Sequence, residues 1–275
     1  MEALAETPPA LVPSGPWRDV RAGIGAGLRR FGRFLLDVVL PPGCMACRAA
    51  VDEPGCLCGA CWRRLEFIDA PYCERLGIPL SAGEFGRGAR LSIAALDHPP
   101  VYERARAVAV FGDVARELVH GLKYADRLEF APPMARMMAR AGRDLLADAD
   151  ALVPVPLYPT RLWRRRFNQS ALLAGGIARE TGVPLRASWL ARGRATVPQV
   201  GLDRAARAAN VAGAFSVPEG EALELRGRRI VLVDDVLTTG ATIDACAKAL
   251  ARAGAARVDV LVFARVVDGA RRPIS

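Results

Sequence analysis

The stretch Ile230-Val-Leu-Val-Asp-Asp-Val-Leu-Thr-Thr-Gly-Ala-Thr242 constrains this chain more than any other. An apolar strand ends in two carboxylates, and a short hydroxyl-rich loop around Gly240 opens a helix. The N-terminus of such a helix offers unpaired backbone N–H groups and the positive end of the helix dipole. Thr238, Thr239 and Thr242, set around Gly240 and Ala241, add hydroxyl donors, so a phosphomonoester fits there. Asp234 and Asp235 can accept hydrogen bonds from vicinal hydroxyls or hold a hydrated Mg2+. A phosphate at one end and a diol at the other describe a ribose 5-phosphate. Two acids and three threonines about one glycine exceed what capping a helix requires.

After Pro100 the chain alternates between strand and helix signals, which is what a parallel sheet with crossover helices requires. Strands are expected at 105–111, 151–156, 230–234 and 258–266, and helices at 114–124, 133–146, 168–181 and 242–253. The expected fold class is therefore α/β. At 275 residues, with 52% hydrophobic and 24% charged residues, the chain has the composition of an ordinary globular protein. That excludes disordered, collagenous and coiled-coil classes. No apolar run reaches the roughly 18 residues that a transmembrane helix needs.

The net charge of +9 is concentrated in one region. Residues 151–210 hold ten arginines against Glu180 and Asp203, a local balance of +8, so the remainder contributes +1. Such a region reads as a site for phosphate or nucleic acid. Trp163, Phe167 and Trp189 lie within it, and aromatic rings beside phosphate contacts are how single strands are gripped. An ordinary solvated basic helix start would account equally for Arg164, Arg165 and Arg166. Lys123 and Lys248 are the two lysines beside 36 arginines. Lys123 reads as an exposed helix end, and His98 and His120 as ordinary surface or core residues.

Six of the seven cysteines fall between positions 44 and 73. Cys44-Met-Ala-Cys47 and Cys58-Gly-Ala-Cys61 form two C-x-x-C pairs, which together close a tetrahedral, structural zinc site with no open position for chemistry. The surrounding lobe has too little apolar material for a core of its own, so metal binding would supply its folding energy. An iron–sulfur cluster or redox thiols could use the same residues, and Cys56 is an alternative ligand to Cys58. Cys73 lacks a C-x-x-C partner because Leu76 stands in that place, and Cys246 reads as a small core residue. No secretory signal precedes the cysteines, which points to a reducing cytoplasm.

Residues 1–40 read as a proline-rich disordered tail followed by an amphipathic entry helix over 17–40, residues 41–80 as the zinc-ribbon lobe, 80–100 as a linker or long loop, and 100–268 as the α/β domain.

The Asp234 loop resembles the phosphoribosyltransferase signature of four apolar residues, two acids and T-T-G-x-T. The whole chain, over about residues 33–268, is similar to the ComF family of phosphoribosyltransferase-like proteins. The resemblance runs through Pro-Pro-Gly-Cys44, Cys58 to Cys61, Leu118 to Tyr124, Val153-Pro-Val-Pro156, Arg166-Phe-Asn-Gln-Ser170, Gln199-Val-Gly-Leu-Asp-Arg204 and Asn210. It implies a type I phosphoribosyltransferase-like domain behind an N-terminal zinc ribbon, often described as double. The missing partner of Cys73 departs from double-ribbon spacing.

By that resemblance Asp234 and Asp235 match the ribose-binding, catalytic acids, and Thr238, Thr239, Gly240, Ala241 and Thr242 match the 5-phosphate loop. Arg161, Arg166, Asn168 and Gln169 would serve the pyrophosphate, and Arg204 would belong to a hood over 194–210. The implied ligand is phosphoribosyl pyrophosphate with Mg2+, and the implied activity is pentosyl transfer to an acceptor that the sequence does not name. The family's setting is uptake of transforming single-stranded DNA. A different class of function remains alongside: a non-catalytic module that holds single-stranded DNA and docks a helicase-like partner on the same fold.

Overall fold

Apolar runs without polar alternation favour strands buried on both faces, and four of them form a parallel sheet in the computed structural model, which describes residues 42–85, 90–124, 127–195 and 204–267. The strands are β1 (Ala105–Val110), β2 (Ala151–Pro154), β5 (Arg229–Leu237) and β6 (Arg257–Arg265), in the order β1-β6-β5-β2. A short antiparallel pair, β3 (Ala191–Arg192) and β4 (Phe215–Ser216), stands apart from the sheet. Both sheet edges are covered by backbone rather than left open. On the β1 side Phe67 bridges to Ala109, Ile68 N–H donates to Val108 O and Val110 N–H to Glu66 O. On the β2 side Leu152 bridges to Leu185.

The helices are α1 (Gly59–Arg64), α2 (Ala82–Phe85), α3 (Ile93–Asp97), α4 (Asp113–Tyr124), α5 (Ala131–Ala141), α6 (Arg143–Leu146), α7 (Pro159–Arg165), α8 (Gln169–Thr181), α9 (Arg204–Val211), α10 (Ala222–Leu225) and α11 (Ala241–Arg252). One face of the sheet packs Leu118, Met134, Met138, Leu173 and Ile177 from α4, α5 and α8. The other packs Ile243, Cys246 and Leu250 of α11 with Trp189, Val211 and Phe215. Cys44, Met45, Cys61 and Leu65 belong to the first of these cores. The knuckle from Cys44 to Leu65 thus has no core of its own and borrows the core of the α/β domain, whereas Cys73 and Leu76 form a small separate cluster with Ala95.

Three expectations change. Strand β5 runs three residues past Asp234, because Val236 and Leu237 go on pairing with Ala264 and Arg265 of β6. The helix expected over 133–146 is two helices broken at Gly142, where a Cβ would lie 2.8 Å from the methyl groups of Leu261. The span 80–100 contains α2 and α3, and Ala95 and Leu91 pack with Cys73 and Leu76, so it is a built element and not a linker. The entry helix expected over 17–40 lies outside the described residues.

Helices α5 and α8 cross at Gly176, where a Cβ would collide with Ala135 Cβ. Gly176→Ala should therefore cost about 1–3 kcal/mol through overpacking, measured by urea unfolding, and Ala135→Gly in the same chain should recover part of that loss.

Candidate functional site

The site lies where two neighbouring strands part company. β2 pairs with β5 only as far as Pro154 opposite Val233, and the last bond across this seam is Val155 N–H to Val233 O at 2.9 Å. β5 continues, still held by β6, and Asp234 is its first residue beyond the seam. A crevice beyond the carboxyl ends of parallel strands is where α/β folds bind ligands. The chain leaving β2 is fixed by Asn168, whose Nδ2 donates to Val155 O at 3.0 Å while its Oδ1 accepts from Ser170 N–H and caps α8.

Ser170 Oγ then donates to Asp234 Oδ1 at 2.8 Å, and Asp235 N–H donates to the same oxygen at 2.9 Å. Asp235 is buried, 4% exposed, and its Oδ2 lies 2.9 Å from Lys123 Nζ at the end of α4. Burial, reinforced by the Asp235 carboxylate, pushes the Asp234 carboxyl up to about 7. The opposite end of the sheet is electrostatically different. There Arg104 and Arg257 both pair with the buried Asp259 and with Asp148, and Arg229 pairs with Asp150. Those acids are neutralised by guanidinium groups, which is structural work. Asp234 has hydroxyl and amide donors instead, which leaves it able to accept from a ligand.

After β5 the chain turns through Thr238 and Thr239 to Gly240, whose φ of 88° is in the left-handed region that glycine adopts without strain. No side chain caps α11 at Gly240. The first-turn N–H groups of a helix need partners from outside it. Thr239 Oγ1 is buried without a hydrogen-bond partner. Thr239 Oγ1 is thus a buried donor at the start of this helix, of the kind that a phosphate oxygen would satisfy. Thr238 is exposed and Ala241 and Thr242 are half-buried.

Gln169, 4% exposed, also carries an unpartnered Oε1, one residue from the Ser170 that holds Asp234. Arg166 is exposed and left-handed (φ 64°) at the end of α7, in the connection between β2 and α8. The backbone of Arg161 lies in the first turn of α7 and that of Arg204 begins α9. Arg194 is engaged elsewhere: its Nη2 donates to Asn210 O and Ala212 O and closes the end of α9. Of the three aromatic residues expected to stack on bases, Trp163 is 87% exposed, Phe167 is half-buried, and Trp189 is 3% exposed in the core and cannot stack.

Sequence reasoning missed Lys123 and Ser170 as members of this site. Lys123 left one signal, being one of two lysines in a chain with 36 arginines.

The four sulfurs of Cys44, Cys47, Cys58 and Cys61 lie within 4.8 Å of one another. A tetrahedral Zn–S4 centre with bonds of about 2.3 Å separates its sulfurs by roughly 3.8 Å, and Cys47 Sγ to Cys58 Sγ is 3.6 Å. The donor set fits zinc. Cys58 N–H donates to Cys44 Sγ and Cys61 N–H to Cys58 Sγ, the amide shell that such thiolates take. Burial works against ionising Cys44, yet amides of Cys47, Cys58 and Ala46 bring it down to about 6, while burial and the neighbouring thiols push Cys61 up to about 12. Thiols so divided need a cation to ionise together. Cys56 is exposed and outside the cluster, and it is the Cys58 sulfur that lies with those of Cys44, Cys47 and Cys61. Cys246 is a buried core residue of α11.

Two family models match the chain: a double zinc ribbon domain over residues 35–90 and a phosphoribosyl transferase domain over 168–274. DNA utilization protein YhgH of Escherichia coli (strain K12) is 33% identical over 84% of this chain and all of its own length. Competence protein F of Haemophilus influenzae is 29% identical over 81% of this chain and 96% of its own. A solved structure of the allosteric regulatory enzyme of purine biosynthesis aligns with 52% of this chain and 29% of its own, at 23% identity and a TM-score of 0.36.

Two outcomes follow from the geometry. Asp234 titrates near 3.8 when unfolded and near 7 when folded, so the native state holds the extra proton between those values and stability must fall as pH rises from about 4 to about 7. Asp234→Asn should flatten that part of a denaturation-versus-pH profile. Chelation of the metal, or Cys61→Ser, should release zinc and lower the thermal midpoint by about 10 °C or more, because structural zinc binding is folding energy; calorimetry with elemental analysis reads both.

Proposed function

We propose, on the premise that this chain belongs to the family of competence protein F and DNA utilization protein YhgH, that it binds phosphoribosyl pyrophosphate with Mg2+ and transfers the pentosyl group to a nitrogen acceptor. The observation that carries this reading is the pairing of the buried, unpartnered Thr239 Oγ1, at the start of α11, with the acids Asp234 and Asp235 on the strand that leads into it. One end suits the 5-phosphate and the other the ribose diol.

In this reading Thr238 to Thr242 hold the phosphate, and Asp234 and Asp235 accept from the 2- and 3-hydroxyls. Ser170 keeps the Asp234 carboxylate turned toward the crevice, and Lys123 balances the charge of Asp235. Arg161, Arg166, Asn168 and Gln169 lie on the diphosphate side, with Arg204 in the cover. The new bond forms from the acceptor nitrogen to C1 as the C1–O bond breaks, and its electron pair leaves with the diphosphate. The protein contributes positioning and neutralisation of the departing charge. Bound Mg2+ supplies further neutralisation of the diphosphate.

The relatives' names support a place in the use or uptake of DNA. Among the described residues no helix is long and apolar enough to cross a membrane, which is compatible with the cytoplasmic setting expected from the cysteines. A second reading is favoured by one observation: Trp163 is exposed beside Arg165 and Arg166 in the most basic part of the chain. In that reading the same surface grips single-stranded DNA, and the ribbon docks a helicase-like partner.

Titration calorimetry separates the two. Asp234→Asn with Asp235→Asn should lower Mg2+-dependent phosphoribosyl pyrophosphate affinity by about 100-fold or more, the loss expected of two charged hydrogen-bond acceptors; unchanged affinity in a folded double variant refutes the site. Replacing Arg164, Arg165 and Arg166 with Ala should reduce the salt slope of single-strand binding by about 0.7 per lost phosphate contact. A wild-type protein that binds no single strand at low salt removes the second reading.

A further inference from the structure

Residues 71–80 and 90–96 repeat hydrogen bonds of the zinc ribbon. In the first knuckle Gly43 bridges Ala50, Cys44 N–H donates to Ala49 O (2.7 Å), Arg48 N–H to Cys44 O (3.0 Å) and Val51 N–H to Pro42 O (2.9 Å). Moved on by 29 positions, the same bonds recur: Tyr72 bridges Pro79, Cys73 N–H donates to Ile78 O (2.7 Å), Gly77 N–H to Cys73 O (2.8 Å) and Leu80 N–H to Pro71 O (3.3 Å). Arg48 (φ 63°) and Gly77 (φ 62°) share the same left-handed turn.

The second knuckle recurs 34 positions on. Cys58 (φ −66°, ψ 159°) caps α1 with its sulfur accepting from Cys61 N–H; Ser92 (φ −74°, ψ 156°) caps α3 with its hydroxyl accepting from Ala95 N–H. Cys58 N–H donates to Cys44 Sγ at 3.3 Å, and Ser92 N–H donates to Cys73 Sγ at 3.2 Å. The four ligand positions of the copy are therefore Cys73, Leu76, Ser92 and Ala95.

This set does not fit zinc. Zinc in a ribbon takes four sulfur or nitrogen ligands, and the copy retains one. Leu76 and Ala95 are apolar, and Ser92 offers a neutral hydroxyl where the first ribbon has the Cys58 thiol. All four positions are buried, and Ile78, Leu80 and Leu91 pack around Cys73, Leu76 and Ala95. The copy is also tied to the sheet: Glu74 O accepts from Ala105 N–H and from Arg106 Nη1, and the Arg106 guanidinium sits 4.5 Å over the Tyr72 ring. The folding energy that a metal gives to the first ribbon comes here from apolar burial and from docking on β1.

We propose that this chain carries a double ribbon with a single zinc, its second ribbon having exchanged the metal for a packed apolar centre at Cys73, Leu76, Ser92 and Ala95. Elemental analysis of the full chain purified with excess zinc tests this. Wild type should hold one zinc per chain, and Cys73→Ala should hold one as well. Leu76→Cys with Ser92→Cys and Ala95→Cys should restore the tetrahedron and raise the content to two, with a doubled thiolate-to-Co2+ charge-transfer band after cobalt exchange. Two zincs in wild type, loss of zinc in Cys73→Ala, or a folded triple variant that still holds one would each overturn the proposal. Should the triple variant fail to fold, the wild-type and Cys73→Ala contents decide it.

Discussion

The parallel ladder of β5 is the constraint on which the rest of the structure depends. It is paired on both sides up to Val233, then on one side only. Backbone groups left unpaired inside a protein are costly, and the local structure shows how this departure is absorbed. Asn168 collects Val155 O, its carbonyl caps α8, and Ser170 at the start of that helix reaches Asp234. Releasing β2 from β5 thus creates the crevice and aims the residues that line it in one sequence of bonds.

Charge divides the molecule along the same axis. At the amino ends of the strands, arginines and aspartates form a closed network around buried Asp259, and such pairing holds Asp148 below the usual carboxylate range, chiefly through Arg257. At the carboxyl ends, two adjacent acids face a single lysine and a set of neutral donors, and Asp234 moves in the opposite direction. A carboxyl that is kept partly protonated by burial and by a like charge is poised to change state when a ligand arrives. The same side chain is therefore held in ion pairs at one end of the sheet and left with hydroxyl and amide donors at the other.

The N-terminal ribbons show two solutions to one small-domain problem. A segment of thirty residues cannot bury enough surface to fold by itself. The first ribbon adds a thiolate cluster and leans on the core beneath α4 and α5; the second fills its centre with leucine and alanine and leans on the edge of β1. The backbone hydrogen bonds are the same in both, so the knuckle geometry is set by the turn and the sulfur- or hydroxyl-capped helix rather than by the metal.

Much of this was legible in the sequence where chemistry is local. The strand-loop-helix at 230–242 had to form because its apolar run, its glycine and its cap positions are contiguous, and the spacing of Cys44, Cys47 and Cys61 pointed to a metal cluster while leaving Cys56 and Cys58 as alternatives. The α/β class followed from the alternation of elements, since parallel strands need crossovers. What depended on contacts between distant segments was not legible. Lys123 and Ser170 reach the acids only after β1, β2 and β5 have assembled, Trp189 looks like a stacking residue until the core covers it, and the helix break at Gly142 answers to a leucine on β6. The resemblance pointed to a double ribbon and Cys73 without a partner put its second metal in doubt, but that the second knuckle keeps the same hydrogen bonds was not legible, because those bonds belong to the backbone, which sequence records only through its turns. Sequence determined the kinds of groups available and their local frames; tertiary structure decided which of them meet, because register and burial are fixed by the whole sheet at once.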